Sequence, residues 1–150
     1  MAKIIRYVYW KDKFGGEMET LAATAYSYGY SIGPHGEWEM VIAAEDKAVK
    51  KDETVVLKIE EIEVPPKSIA FPCPTMRHAL GVAISVGAAV GIPARAEERR
   101  YFNQAVFLPV CDGVVHKGEL LSVLNILYAT LERRLARGAA EKWLRERYRY

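Results

Sequence analysis

The stretch TVVLKIEEIEV, residues 54–64, decides the fold. Val55, Leu57 and Ile59 share one parity, and Val56, Lys58 and Glu60 the other. That is the period-two alternation of a half-buried strand. After Glu60 the phase slips, because Ile62 and Val64 fall on the opposite parity. A one-residue slip of this kind predicts a β-bulge near Glu60–Glu61 that returns the apolar set to the core face. Pro65–Pro66 then ends the strand, since neither residue can donate to a ladder.

Upstream, KIIRYVYW (3–10) is rich in β-branched and aromatic residues and reads as a strand. KDKFGGE (11–17) reads as a turn around Gly15–Gly16. METLAATAYSYGYSIG (18–33) is ambiguous: its alternating Tyr26, Tyr28 and Tyr30 favour a strand, and GPHG (33–36) closes it as a loop. EWEMVIAAED (37–46) reads as a strand with Trp38, Met40 and Ile42 on one face, and KAVKKDE (47–53) as a charged turn.

Downstream, strands are expected at KSIAF (67–71), LGVAISVG (80–87), RYFNQAVFLPV (100–110, broken by Pro109) and LLSVLNILY (120–128). CDGVVHKGE (111–119) holds turns at Asp112–Gly113 and Lys117–Gly118, and AAVGIPARAEER (88–99) is a loop. The pattern then changes period. Leu131, Leu135, Ala139 and Trp143 recur every fourth residue, with Ala136, Ala140 and Leu144 beside them, the stripe of an amphipathic helix. Gly138 weakens that helix by about 1 kcal/mol relative to Ala.

The expected architecture is one mainly-β domain over residues 1–150, barrel-like or β-clip-like, with a β core over about 3–129 and a C-terminal helix over about 130–148. Its sheet edges must be managed by closure, by the helix or by a partner chain, which makes a homo-oligomer the expected state.

Composition narrows the function classes. With 51% hydrophobic and 27% charged residues the chain suits a folded domain, not a disordered one. A net charge of +2 gives no global electrostatic case for nucleic acid. The most apolar window, Ala79–Ile92, falls short of the ~18 residues of a membrane span. The N-terminus lacks signal-peptide features, so a cytoplasmic location is expected. Cys73 and Cys111 are read as reduced, buried thiols.

Two stretches together resemble a small archaeal family, domain of unknown function 22. They are IEVPPKSIAFPCPTMRHALGVAISVG (62–87) and AVFLPVCDGVVHKGELLSVLNIL (105–127). The resemblance spans roughly residues 37 to 128 and leaves out the C-terminal helix. More distantly, the Pro-rich segment, the Arg-containing turn, the Gly-Val strand and a late Lys-Gly strand are similar to the β-clip fold of dUTPase and dCTP deaminase. That likeness implies a phosphate-binding turn at Arg77 and the late strand at VHKGELLSVL (115–124). The dUTPase pattern carries an Asp and a Tyr in its Gly-Val strand, whereas GVAISVGAAVG (81–91) has neither. The resemblance therefore brings a fold expectation without the water-activating acid.

FPCPTMRHALGVAISVG (71–87) also carries the candidate site. Arg77 offers a bidentate fork for phosphate or carboxylate, and His78 adds a donor, so the pair is the expected site for a small anionic or nucleotide ligand. The plainer alternative pairs Arg77 with nearby acids and satisfies His78 from the backbone. Cys73 stands close by as an auxiliary group, with no acid to complete a nucleophile's relay.

Asp112, His116 and Lys117, with Glu119, could transfer protons, although Asp-Gly and Lys-Gly are first of all turn chemistry. Cys73/His78 and Cys111/His116 share a Cys-x4-His spacing, but this is not a recognised zinc arrangement, and no metal, cofactor or catalytic residue is assigned. From Leu131 onward seven basic residues face three acidic ones. That excess could touch nucleic acid, though a solvated or self-associating helix face explains it equally. The functional expectation is a non-enzymatic, self-associating β-domain with an anion site near Arg77. The alternatives are a divergent nucleotide-processing relative of the dUTPase fold and nucleic-acid binding through the basic helix.

Overall fold

A computed structural model of the chain describes residues 2–13, 15–26, 28–75, 77–91, 94–95 and 98–133. It is built from strands: β1 (Ala2–Trp10), β2 (Met18–Tyr26), β3 (Tyr28–Ile42), β4 (Lys47–Val49), β5 (Val55–Val64), β6 (Ser68–Pro72), β7 (Gly81–Gly87), β8 (Arg100–Pro109), β9 (Gly113–Val115) and β10 (Leu120–Arg133). They form a β1–β2 hairpin, a three-stranded sheet β3–β10–β6, a short β4–β9 pair and a three-stranded sheet β5–β8–β7. Every pairing is antiparallel. The mainly-β expectation holds, while the sheets do not close into a barrel.

The alternation in 54–64 turns directly into packing. Leu57, Ile59, Ile62 and Val64 are all buried. The register with β8 jumps from Lys58↔Gln104 to Ile62↔Phe102, an irregularity at the position the phase slip predicts, with two extra residues on β5 where a one-residue bulge is expected. At the bulge, Ile59 bridges to Ala43. The Lys58 N–H donates to the Glu45 carboxylate at 2.9 Å, and the Ala44 N–H donates to the Lys58 carbonyl at 2.9 Å. The extra residues thus give up ladder partners in β8 and join β5 to the end of β3.

The two three-stranded sheets share one core. Val41, Leu124 and Ile126 come from one sheet, and Leu57, Ala83, Ala105 and Phe107 from the other. Phe107 is fully buried and lies across from Val55 on one side and Ala83 on the other. Val49 and Val115 extend this core from the β4–β9 pair.

Four expectations change. GPHG lies inside β3 instead of closing a loop. Opposite it the register jumps from Leu127↔Gly36 to Ala129↔Ile32, so Pro34 sits where the ladder is already interrupted and its missing N–H costs no bond. KAVKKDE contains β4, and the turn proper follows it, with Asp52 at φ 62. Cys111 is exposed rather than buried, because it stands in the turn after β8. At the C-terminal end β10 remains a strand through Arg133, past the expected helix start at about 130, because β3 continues to pair with it as far as Tyr28. The rest of the expected helix, 134–148, lies outside the described residues. Among the described residues no helix is long and apolar enough to cross a membrane.

Candidate functional site

The turn from β6 to β7 carries Cys73, Arg77 and His78 and is pinned at both ends. At its start the Cys73 N–H donates to the Val123 carbonyl at 2.7 Å, extending the β6–β10 pairing by one residue. At its end the Gly81 N–H donates to the His78 carbonyl at 3.3 Å, and the Val110 N–H to the Leu80 carbonyl at 2.7 Å. At Gly81 the backbone approaches β8 so closely that a Cβ would lie 2.2 Å from the Leu108 carbonyl oxygen. Glycine is required there, and it sets the direction in which the turn leaves the sheet.

His78 is held rather than displayed. Its side chain is 12% exposed and meets Phe107 edge-on, with ring centroids 5.9 Å apart. The Leu80 N–H donates to Nδ1 at 3.1 Å, so Nε2 carries the proton and donates to the Glu119 carboxylate at 2.7 Å. The same Glu119 oxygen accepts the His116 N–H at 2.9 Å. The His116 N–H first, and the His78 ring second, hold the Glu119 carboxyl below its ordinary range against an opposing effect of burial. His78 thus ties the β6–β7 turn to the β9–β10 turn.

Arg77 differs. Its side chain is exposed, and among the described residues no carboxylate forms an ion pair with it within 4.0 Å. It lies close enough to the half-buried Cys73 thiol to favour the thiolate. The Cys73 thiol is held below its ordinary value chiefly by the Thr75 backbone N–H and the Thr75 hydroxyl, with partial burial opposing and the Arg77 guanidinium assisting. The groups that favour the thiolate, Thr75 and Arg77, thus come from the same turn as Cys73.

The second expected group separates into turn interactions. Asp112 accepts the Lys51 N–H at 2.8 Å. The Lys117 N–H donates to Asp46 at 2.8 Å, and His116 Nδ1 lies 3.8 Å from the same Asp46 oxygen. Each carboxylate binds a backbone donor across a turn, so Asp112, His116 and Lys117 are not gathered around one reacting point. The two Cys-x4-His pairs do not assemble either. Among the described residues no group of three or more His, Cys, Asp or Glu side chains could hold a metal ion.

Two contacts escape sequence reasoning. Glu119 meets His78 across 41 residues, and no spacing rule reports that distance. Arg100 is half-buried at the start of β8 and donates through Nη2 to the Ser68 carbonyl at 2.6 Å, to Ser68 Oγ at 2.9 Å and to the Pro65 carbonyl at 3.3 Å. It ties the Pro65–Lys67 turn to the start of β8 through the Pro65 and Ser68 carbonyls and the Ser68 hydroxyl. The Pro-Pro-x-Ser motif is the only local hint of it.

Comparison with known proteins places this geometry in a family. The family model described as "Domain of unknown function DUF22" matches residues 4–113. That span takes in the β1–β2 hairpin and ends at the start of β9, before the late Lys-Gly strand. The "Uncharacterized protein MJ0614" of Methanocaldococcus jannaschii is 33% identical over 102 residues, covering 68% of this chain and 77% of that protein. No solved structure matches the chain. From its hairpin through the Arg77 turn, the chain belongs to the DUF22 family of domains of unknown function.

Proposed function

We propose that the protein is a non-enzymatic, self-associating β-domain that binds a small anionic ligand, a nucleotide phosphate or a carboxylate, at the Arg77 turn. The observation that carries this reading is the exposed Arg77 side chain, without a carboxylate partner among the described residues, in a turn where Thr75 and Arg77 favour the Cys73 thiolate. Donors that favour a thiolate equally favour a phosphate or carboxylate oxygen. His78 supports the turn from behind, because its ring is committed to Glu119 and to Leu80. Glu119 is committed in turn to two N–H donors, so it is not a free base, and no catalytic step is assigned.

A thermal-shift titration tests the reading. Inorganic phosphate, nucleoside mono-, di- and triphosphates and small dicarboxylates form the panel. A true ligand raises the unfolding midpoint by roughly 3 °C at a concentration tenfold above its dissociation constant. Arg77→Ala should abolish that rise while leaving the ligand-free midpoint unchanged, since the side chain is exposed. A panel without a response, or a response that survives Arg77→Ala, removes the anion site.

A further inference from the structure

The Arg77 turn has one fixed end. The Leu80 carbonyl accepts the Val110 N–H at 2.7 Å. The Leu80 side chain lies over Gly113, where a Cβ would come within 2.8 Å of both of its methyl carbons. Leu80 also packs against the hydrophobic core, and Gly81 after it is paired with Pro109 of β8. Arg77 lies three residues before Leu80, is exposed and belongs to no strand.

His78 links the two. The Leu80 N–H donates to Nδ1 of His78, two residues before it, at 3.1 Å. An Asn or Asp side chain makes this same bond in an Asx turn. A carboxylate or amide oxygen always offers the acceptor. An imidazole offers it only when Nδ1 carries no proton. The closed turn therefore depends on which ring nitrogen holds the proton.

Glu119 sets that choice. Its carboxylate accepts from Nε2 at 2.7 Å, and the ring is 12% exposed and edge-on to Phe107. The carboxylate itself rests on a braced turn. The same oxygen accepts the His116 N–H at 2.9 Å. The Gly118 N–H donates to the Ala43 carbonyl at 2.8 Å, and the Ala43 N–H to the Glu119 carbonyl at 2.9 Å. These bonds seat the β9–β10 turn on the end of β3.

Resting on the anion-site reading above, we infer that Glu119 is a positioning residue for the Arg77 turn, acting through the tautomer of His78. The carboxylate keeps the proton on Nε2, Nδ1 accepts the Leu80 N–H, and the backbone next to Arg77 is tied to the fixed Leu80. Without Glu119 the ring is free to take its other tautomer. One proton moves from Nε2 to Nδ1, the ring stays neutral, and an N–H then faces the Leu80 N–H. The turn opens, and the cost of ordering Arg77 on binding weakens the anion.

Two measurements on the full chain test this: the dissociation constant of inorganic phosphate by calorimetry, and hydrogen exchange at the Leu80 amide by NMR. Glu119→Ala should weaken phosphate about tenfold and speed Leu80 exchange about tenfold, the scale of one lost hydrogen bond. Glu119→Gln keeps an acceptor oxygen and should stay within about threefold of the wild type in both. Asn at position 78 offers an oxygen to the Leu80 N–H and has no tautomer to set. Adding His78→Asn to Glu119→Ala should therefore restore both values to within about threefold of the wild type. If Glu119 served only to pair the His116 N–H, the second substitution would restore nothing. Exchange at Ala105 and Phe107, on the central strand β8, reports global opening and is the reference in each variant. Leu80 exchange that is unchanged in Glu119→Ala, or not restored in the double variant, overturns the positioning role. Restored exchange without restored affinity overturns it too, by confining Glu119 to the stability of the turn. A wild type that binds no phosphate counts against the anion site instead, and the exchange rates alone then decide whether Glu119 acts through His78.

Discussion

The β1–β2 hairpin and the β5–β8–β7 sheet are made of the same kinds of residue, yet one carries its apolar side chains outside and the other inside. Ile4, Val8 and Met18 are exposed on the hairpin, while Leu57, Ala105 and Phe107 are fully or almost fully buried in the sheet. The difference lies in neighbours. β8 has a strand on either side and a second sheet across the core, whereas β1 and β2 pair only with each other among the described strands and contribute no residue to the buried core. β-propensity brought both regions into strands, and long-range pairing alone decided which of them contributes to the stability of a single chain.

Substitutions should separate the two regions in order of size. The largest effect belongs to Phe107→Ala. It removes a fully buried ring on the central strand of the β5–β8–β7 sheet, within the core both sheets share, and should cost about 3–5 kcal/mol in equilibrium denaturant unfolding. A loss near zero would mean that the two sheets do not share a core.

Glu119→Gln comes next. It keeps an acceptor for the His116 N–H and the His78 ring but loses the charge, and should cost about 1 kcal/mol at neutral pH. Its pH dependence has a definite sign. The Glu119 carboxyl is lowered in the folded chain, so its contribution is fully present above the ordinary carboxylate value of about 4.3 and disappears as the pH falls through the lowered folded value. Stability measured against pH should therefore fall less steeply on the acid side in Glu119→Gln than in the wild type. Parallel curves would show that His78 and His116 do not act on this carboxylate.

The smallest effect belongs to Ile4→Ala. An exposed hairpin residue outside the core should change unfolding of the monomeric chain by no more than about 0.5 kcal/mol. A cost of several kcal/mol under monomeric conditions would place the hairpin against its own body and erase the contrast with β8.

Much of this fold is legible locally. The slip between Ile59 and Ile62 announces the bulge, Pro65–Pro66 announces the end of β5, and Gly81 marks where two strands come too close for a side chain. Each signal is a consequence of backbone geometry at its own position. Errors arose where a distant strand overruled local chemistry. GPHG reads as a loop by composition but is drawn into β3 by β10, and the chain from Thr130 has a helical period although β3 still holds Leu131, Glu132 and Arg133 in strand pairing. Propensity is worth tenths of a kcal/mol per residue, and a ladder partner outweighs it.

The candidate site divides in the same way. Arg77 and His78 could be named from the sequence, because a proline-set turn beside a glycine-led strand positions an arginine recognisably. Their different roles could not. His78 is a brace because Glu119, 41 residues later, reaches it, and Arg77 is open because no acid does so among the described residues. By itself the sequence determined which segments extend, where they bulge and where they stop, since backbone sterics and side-chain alternation act over a few residues. Only the tertiary structure decided which apolar faces are buried, which left uncovered, and which charged groups find partners. Those outcomes depend on distances between residues that the order of the chain does not encode locally.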